Sequence, residues 1–392
     1  MRKELNMGIF KKLFNKQDRS EPEEVKTEEN KILIESWSPV CNIQAFVEKS
    51  KTTVYFYLWV NPGSENSIIK PCWVCNIDTA DEKNIDYKEM DNGIAPRMPL
   101  EYCSHSSKGI DIDEENLSII WFEEGDAAAL LQNNKLLAVI PGWAENGFYG
   151  YSRYAKGTGP FAWELTEAED NLYKRVMKSK KYWDYLKEGY FKEVQNMHLS
   201  ALESFFGKYE NYYAIDNNQF PSKALITGNK NKVNYAFTAG VSVLCQPKIE
   251  QFFEYGDAKQ QRRIELGFAC RDGFKNKSDD YMKLLGYISG QTNFPWQVIA
   301  WLGNGHTIPC NAIENFEAVL FINNNMFPQF DSPKYEKFMD ERINLLWIIP
   351  ITKEEYNFVQ NNDIDKLFEK YKGNLEEIII FDETPKFINS GV

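Results

Sequence analysis

Alternating apolar and polar positions begin only after residue 31. Thr53–Val60 is the clearest strand: Val54, Phe56, Leu58 and Val60 face one way, and Tyr55, Tyr57 and Trp59 the other. Both faces are apolar. The strand is therefore either sandwiched or carries an aromatic contact surface, which makes Tyr55, Tyr57 and Trp59 candidate partner-binding residues. Leu117–Phe122 predicts a second strand, and Leu136–Ile140 a third that stops at Pro141-Gly142. Between them, Asp126 precedes an Ala/Leu run and predicts a helix N-cap, its carboxylate accepting the free amides of the next turn. Thr166 and Glu169 stand at capping-box spacing before Leu172, Tyr173, Val176 and Met177, which predict helix continuing to about residue 208.

Segment 214–231 is polar, with Pro221, Gly228 and many Asn, and predicts a linker. Beyond it Val233, Tyr235, Phe237, Ala239, Val241, Val243 and Cys245 alternate with Asn234, Thr238 and Ser242, with Gly240 as a bulge position. Ile264, Leu266, Phe268 and Cys270 repeat the pattern. Ser278 is placed to cap a helix with Tyr281, Leu284, Leu285 and Ile288 on its apolar face. Strands are predicted at 297–302, 316–322 and 343–349. Thr352 and Glu355 then form a capping box, with Ile351 placed to staple onto Tyr356. Leu367, Phe368 and Tyr371 continue in helical spacing until Gly373. Strands and helices mix irregularly in both halves, so the predicted class is α+β: two domains, each a mixed or antiparallel β-sheet packed with helices. The expected boundaries are a disordered charged arm at 1–31, an N-terminal domain at 32–213, the linker at 214–231, a second domain at 232–380 and a tail at 381–392. No repeat of solenoid period is present.

Composition narrows the class. The 392 residues suit two or three domains. A net charge of −12 is poorly suited to gripping phosphates, so nucleic acid is not an expected partner. Aromatic residues at 15% exclude general disorder, and 3 His leave little for a His-rich metal centre. Ile9, Phe10, Leu13 and Phe14 lie beside Lys11, Lys12 and Lys16, a stretch too brief to anchor a membrane. No apolar run suggests a secretory signal or a membrane span. The 7 Cys are odd in number and scattered, as in the reduced thiols of a cytoplasmic protein.

Candidate chemistry is sparse. Cys72-Trp-Val-Cys75 with Cys103 and His105 would complete a tetrahedral structural zinc site. The alternative is a strand of buried thiols. A single CxxC favours that alternative, so no cofactor is expected. Glu123, Glu124 and Asp126 gather carboxylates at a strand end. They answer a helix N-terminus, pair as acid and base, or offer negative charge to a partner. Gly147–Pro160, with Arg153 and Lys156, is either an anion-binding loop or a hairpin, and it lacks the P-loop order. Gly303-Asn304-Gly305-His306 reads as a turn, and no nucleophile set accompanies His306. A metal-dependent or small-molecule enzyme centred on the N-terminal domain is the alternative functional reading.

Three stretches of the second domain, in order, resemble the suppressor-of-fused (SUFU) domain family. They are Arg262-Arg-Ile-Glu-Leu-Gly-Phe268, Trp296–Ile308 with its Gly303-x-Gly305-His306 turn, and Ile343–Glu355 with its Pro350-Ile-Thr352-x-x-Glu355 cap. The resemblance spans roughly residues 225–375. It implies a non-catalytic α+β domain that binds another protein. Bacterial members look like immunity proteins that mask a toxin domain of polymorphic toxin systems. Trp121–Asp126 and Leu137–Trp143 resemble a segment that precedes some bacterial SUFU domains. An acidic, aromatic-rich chain is consistent with a basic toxin partner, because complementary charge speeds and selects association.

Overall fold

The computed structural model describes residues 30–388 apart from 79–84, 86, 88, 89, 91, 92, 146 and 167. The predicted arm lies outside the described residues up to residue 29. The chain packs as two units, Met1–Asp184 and Tyr185–Val392.

In the first unit, β1 (Lys31–Trp37), β2 (Ile43–Lys49), β3 (Thr53–Val60) and β4 (Ile68–Asn76) form an antiparallel sheet in chain order. β3 therefore has a strand on each side, and its residues on both faces are buried from Thr53 to Leu58, which accounts for its two apolar faces. A second sheet runs β5 (Leu117–Trp121), β6 (Ala128–Gln132), β7 (Lys135–Ile140), β8 (Tyr151–Ser152) and β9 (Trp163–Glu164). The helix predicted after Asp126 is instead strand β6, which pairs with β5 on one side and β7 on the other. Two full ladders outweigh the helix preference of the Ala/Leu run, which amounts to tenths of a kcal/mol per residue, up to about 0.7. Helix α1 (Glu169–Tyr185) lays Leu172 and Val176 on Phe122, Ala129, Leu131 and Val139. The helix predicted to run on to 208 is broken between α1 and α2 (Tyr190–Phe206), where Gly189 turns the chain at φ +71°. Glu169 opens α1 rather than sitting one turn inside it, and it pairs with Arg153.

In the second unit the sheet runs β10 (Asn211–Ala214), β11 (Ala224–Lys230), β12 (Val233–Ala239), β13 (Arg263–Arg271), β16 (Ile343–Ile351), β15 (Phe316–Asn323), β14 (Thr307–Ile313). β13 is parallel to β16 and to the short β17 (Ile380–Phe381); the other pairs are antiparallel. The segment expected as a linker, 214–231, is part of this sheet. β11 pairs with both β10 and β12, and the Asn residues serve turns, Asn217 and Asn218 adopting φ +52° and +58°. Gly228 is there for space: a Cβ would come within 2.6 Å of the Phe206 ring on α2.

The shorter helices are α3 (Tyr255–Gln261), α4 (Asp272–Lys275), α5 (Ser278–Gln291), α6 (Phe294–Val298), α7 (Lys353–Asn361) and α8 (Ile364–Phe368). The strand predicted at 297–302 is replaced by the end of α6 and a loop. The tail expected from 381 is packed as far as 388: Phe381 lies in β17, and Phe387 is buried in the core. That core takes Leu202, Phe205 and Phe206 of α2 onto Val233, Tyr235, Phe237 and Ala239, the odd positions of β12. Fully burying one such ring is worth about 1.5–3 kcal/mol. α5 buries Tyr281, Leu284, Leu285 and Ile288. Among the described residues no helix is long and apolar enough to cross a membrane.

A candidate interaction surface held by a buried polar frame

Thr238 of β12 is polar yet buried, because it serves Glu265 of β13. Both carboxylate oxygens are filled. One accepts from Gly240 N (3.0 Å), Ser242 N (2.9 Å) and Ser242 Oγ (2.7 Å), and lies 3.0 Å from His198 Nε2. The other accepts from Thr238 Oγ1 at 2.6 Å. Gly240 takes φ +97°, which turns its own amide and that of Ser242 toward the carboxylate, and Glu265 takes both. His198, on α2, donates from Nδ1 to Val194 O at 2.8 Å. Burial opposes both charges, but each holds the other: the carboxyl of Glu265 lies below its ordinary value and the imidazole of His198 above. Lys223 completes this frame, donating to Thr292 O (3.1 Å) and Asn293 Oδ1 over the Trp296 ring, with burial pushing its amine down to about 8.

At the start of β13, Arg262 and Arg263 are both fully buried and share Glu341. Arg262 Nε and Arg263 Nε reach Glu341 Oε2 at 2.8 and 2.9 Å, and Arg262 Nη2 binds Oε1. Arg263 Nη1 also donates to the carbonyls of Ser242 and Val243. This ties β13 to the 240–243 turn. Groups so enclosed are a frame, since every polar atom of Glu265 is already spent inside the fold.

The frame supports a loop that reaches the surface. Gln246, bonded through its backbone amide to Arg262 O (2.8 Å), grips both backbone groups of Leu302: its Oε1 accepts from Leu302 N (2.8 Å) and its Nε2 donates to Leu302 O (3.1 Å). Next to it, Trp301 lies over Gly303, where a Cβ would sit 2.2 Å from the ring. Gly305 takes φ +84° and donates to Phe321 O, while Phe321 N donates to His306 O, which binds the turn to β15. His306 donates from Nδ1 to Trp301 O (3.2 Å) and packs edge-on to the indole at 4.5 Å; burial lowers its pKa. Phe253 and Phe252 close on Trp301 at 5.3 and 5.9 Å. Phe252 is 65% exposed, so this cluster ends in an open aromatic face. Sequence reasoning singled out Gly303, Gly305 and His306 but missed Phe252 and Phe253. Their only sequence signal is an aromatic pair set between acids.

The remaining motif positions are structural. Pro350 lies inside β16 opposite Val319, one residue short of the strand end. The capping box of Thr352 and Glu355 is formed. Glu355 does more than cap: its Oε2 accepts from Thr352 N (2.9 Å), while its Oε1 accepts from Phe387 N (2.7 Å) and Ile388 N (3.1 Å), pinning the chain end onto α7.

In the first unit most candidate site residues turn inward. Tyr55 and Tyr57 are 1% and 0% exposed, so they are not contact surface. Tyr57 stacks on Phe46 at 4.9 Å, and Tyr55 donates to Pro96 O at 2.8 Å. Trp59 alone of the three is half-buried, its indole donating to Ser67 Oγ. Glu123, Glu124 and Asp126 are all buried in the β5–β6 turn, which excludes them as an exposed acidic patch. They also cap no helix. Glu124 pairs with Arg175 (3.1 Å) and Glu123 with Lys178 (3.4 Å), both on α1. The acids thus clamp α1 to the sheet.

The zinc set is not assembled. Among the described residues no group of three or more His, Cys, Asp or Glu could hold a metal. The Cys72 thiol points to Tyr151 O, Cys75 to Ile110 O, and Cys103 to the carbonyls of Met98 and Pro99. His105 Nε2 accepts from Asn76 N, and its Nδ1 donates to Ser106 O. Burial raises all three thiols, Cys103 to about 12, so they are protonated at neutral pH. In the Gly147–Pro160 loop, Arg153 is engaged by Glu169 and Leu136 O and does not face an incoming anion.

No curated protein and no solved structure matches this chain. Residues 220–382 match the family model of the Suppressor of fused protein (SUFU). They span β11 to β17, including Glu265 and the Trp301 cluster but not His198 of α2. The C-terminal half of the chain therefore carries a SUFU domain, the module of a protein-interaction family.

Proposed function

We propose that the protein is a non-catalytic immunity protein, an antitoxin that masks a basic toxin domain of a bacterial polymorphic toxin system and acts in the cytoplasm. The observation that carries this reading is the Trp301 cluster. The turn from Gly303 to His306 holds an aromatic face open to solvent, while Glu265, His198, Arg262, Arg263 and Glu341 are locked inside. Buried aromatic anchors dominate interface energies, and a rigid one loses little entropy on binding. A net charge of −12 favours a basic partner. The free thiols suit a reducing compartment.

The test is co-expression with toxin domains encoded beside the gene. Rescue of growth together with co-purification of a stoichiometric complex supports the proposal. Failure to bind or protect against every such domain overturns it.

A further inference from the structure

We infer that the aromatic cluster of Phe252, Phe253, Trp301 and His306 is the docking point for an arginine-bearing segment of a basic protein partner. The inference rests on the binding role proposed above and adds the chemistry of what is bound. Phe252 is 65% exposed, and Val298, three residues before Trp301, is 48% exposed. Both side chains are left open by the described residues of the second unit.

Exposed acids stand in the chain beside the residues of this face. Glu254 follows Phe253 directly and Asp257 stands three residues further on; both are exposed. Asp363 and Asp365 flank Ile364, whose side chain lies 3.7 Å from the Cβ position of Gly305; both are exposed. The stretch from Trp301 to Thr307 carries no formal charge apart from His306, which burial keeps neutral at pH 7. A flat guanidinium is the cation that suits such a place: it stacks on aromatic faces, and it is weakly hydrated.

The loop is also strained where it leaves α6. Ile299, a β-branched residue, stands at φ +52°, a conformation that costs of order 1–3 kcal/mol and persists where the surroundings enforce it. That turn sets the direction in which Trp301 emerges. Two like-charged copies of this chain would repel at these acids, so a second copy is the weaker occupant.

The experiment uses the full chain and a fluorescein-labelled alternating Arg-Gly dodecapeptide, with an alternating Glu-Gly dodecapeptide as control, read by anisotropy. The Arg-Gly peptide is expected to bind at about 0.15 M salt and the Glu-Gly peptide not to bind. Phe252→Ala changes no charge and removes an exposed ring, and should weaken binding about fivefold. Glu254→Gln combined with Asp257→Gln should weaken it further and flatten its salt dependence. Binding to Phe252→Ala within about twofold of wild type would show that the peptide is held by general charge, and overturns the inference. A wild-type dimer in sedimentation that Phe252→Ala dissociates would overturn it in favour of a second copy. A toxin domain that binds Phe252→Ala as tightly as wild type would sink this site and leave the immunity reading standing. Peptide binding at the cluster without any toxin partner would do the reverse.

Discussion

Replacing Glu265 by Gln tests the frame most directly. The carboxylate faces four donors besides the His198 imidazolium, all of them buried. Breaking a buried charge pair by removing one partner costs about 3–5 kcal/mol. Glutamine keeps one oxygen for the Gly240 and Ser242 donors, so the loss should fall near the lower end, about 3 kcal/mol. The chain has two units, so a global unfolding curve would blend them. Native-state hydrogen exchange of β12 and β13 amides reads the second unit alone. At about 1.4 kcal/mol per decade, exchange should accelerate by about two decades relative to wild type.

The cost should also depend on pH. His198 is raised above its ordinary 6.5 in the fold, so its contribution is complete below 6.5 and fades as pH rises toward and through the folded value. Glu265 is lowered from 4.5, so its contribution is present above 4.5 and lost as pH falls through the folded value. The difference between wild type and variant should therefore be larger at about pH 6 than at about pH 9.5. A difference that is equal at both, or that grows toward high pH, would refute the paired-charge account of this frame.

Glu341→Ala removes the carboxylate shared by the fully buried Arg262 and Arg263, and should cost about 3–5 kcal/mol, seen as loss of soluble protein or of β13 amide protection. Glu355→Ala removes the acceptor of three backbone amides; the amides of Phe387 and Ile388 should exchange faster while β12 keeps its protection, at a local cost of about 1–3 kcal/mol. All seven thiols are buried, so dithionitrobenzoate should label the native protein slowly and the urea-unfolded protein at once; rapid native labelling would contradict their burial. Because Cys72, Cys75 and Cys103 each donate to a backbone carbonyl and both nitrogens of His105 are hydrogen-bonded, EDTA should leave the thermal midpoint unchanged, and a fall on chelation would contradict that placement.

Local chemistry alone specified much of this chain. The two-faced apolar pattern of Thr53–Val60, the alternation over Val233–Ala239, the apolar face of Ser278–Gln291 and the Thr352–Glu355 capping box all reappear in the structure. Each of these signals is complete within a few residues. What neighbours decide was not legible. Ala127–Gln132 reads as helix until two flanking strands pair with it. Residues 214–231 read as linker because turn-forming Asn and Gly conceal a strand that needs β10 and β12 to exist. Burial reversed the site: Glu123, Glu124, Asp126, Tyr55 and Tyr57 look like surface chemistry and all are buried, with Glu123, Glu124, Tyr55 and Tyr57 each spent on a partner supplied from elsewhere in the unit. The open aromatic face at Phe252 and Trp301 joins residues some fifty positions apart through Gln246 and Gly303. Sequence pattern fixes which residues are apolar and where the chain can turn. Only tertiary packing decides which of those apolar groups water still reaches.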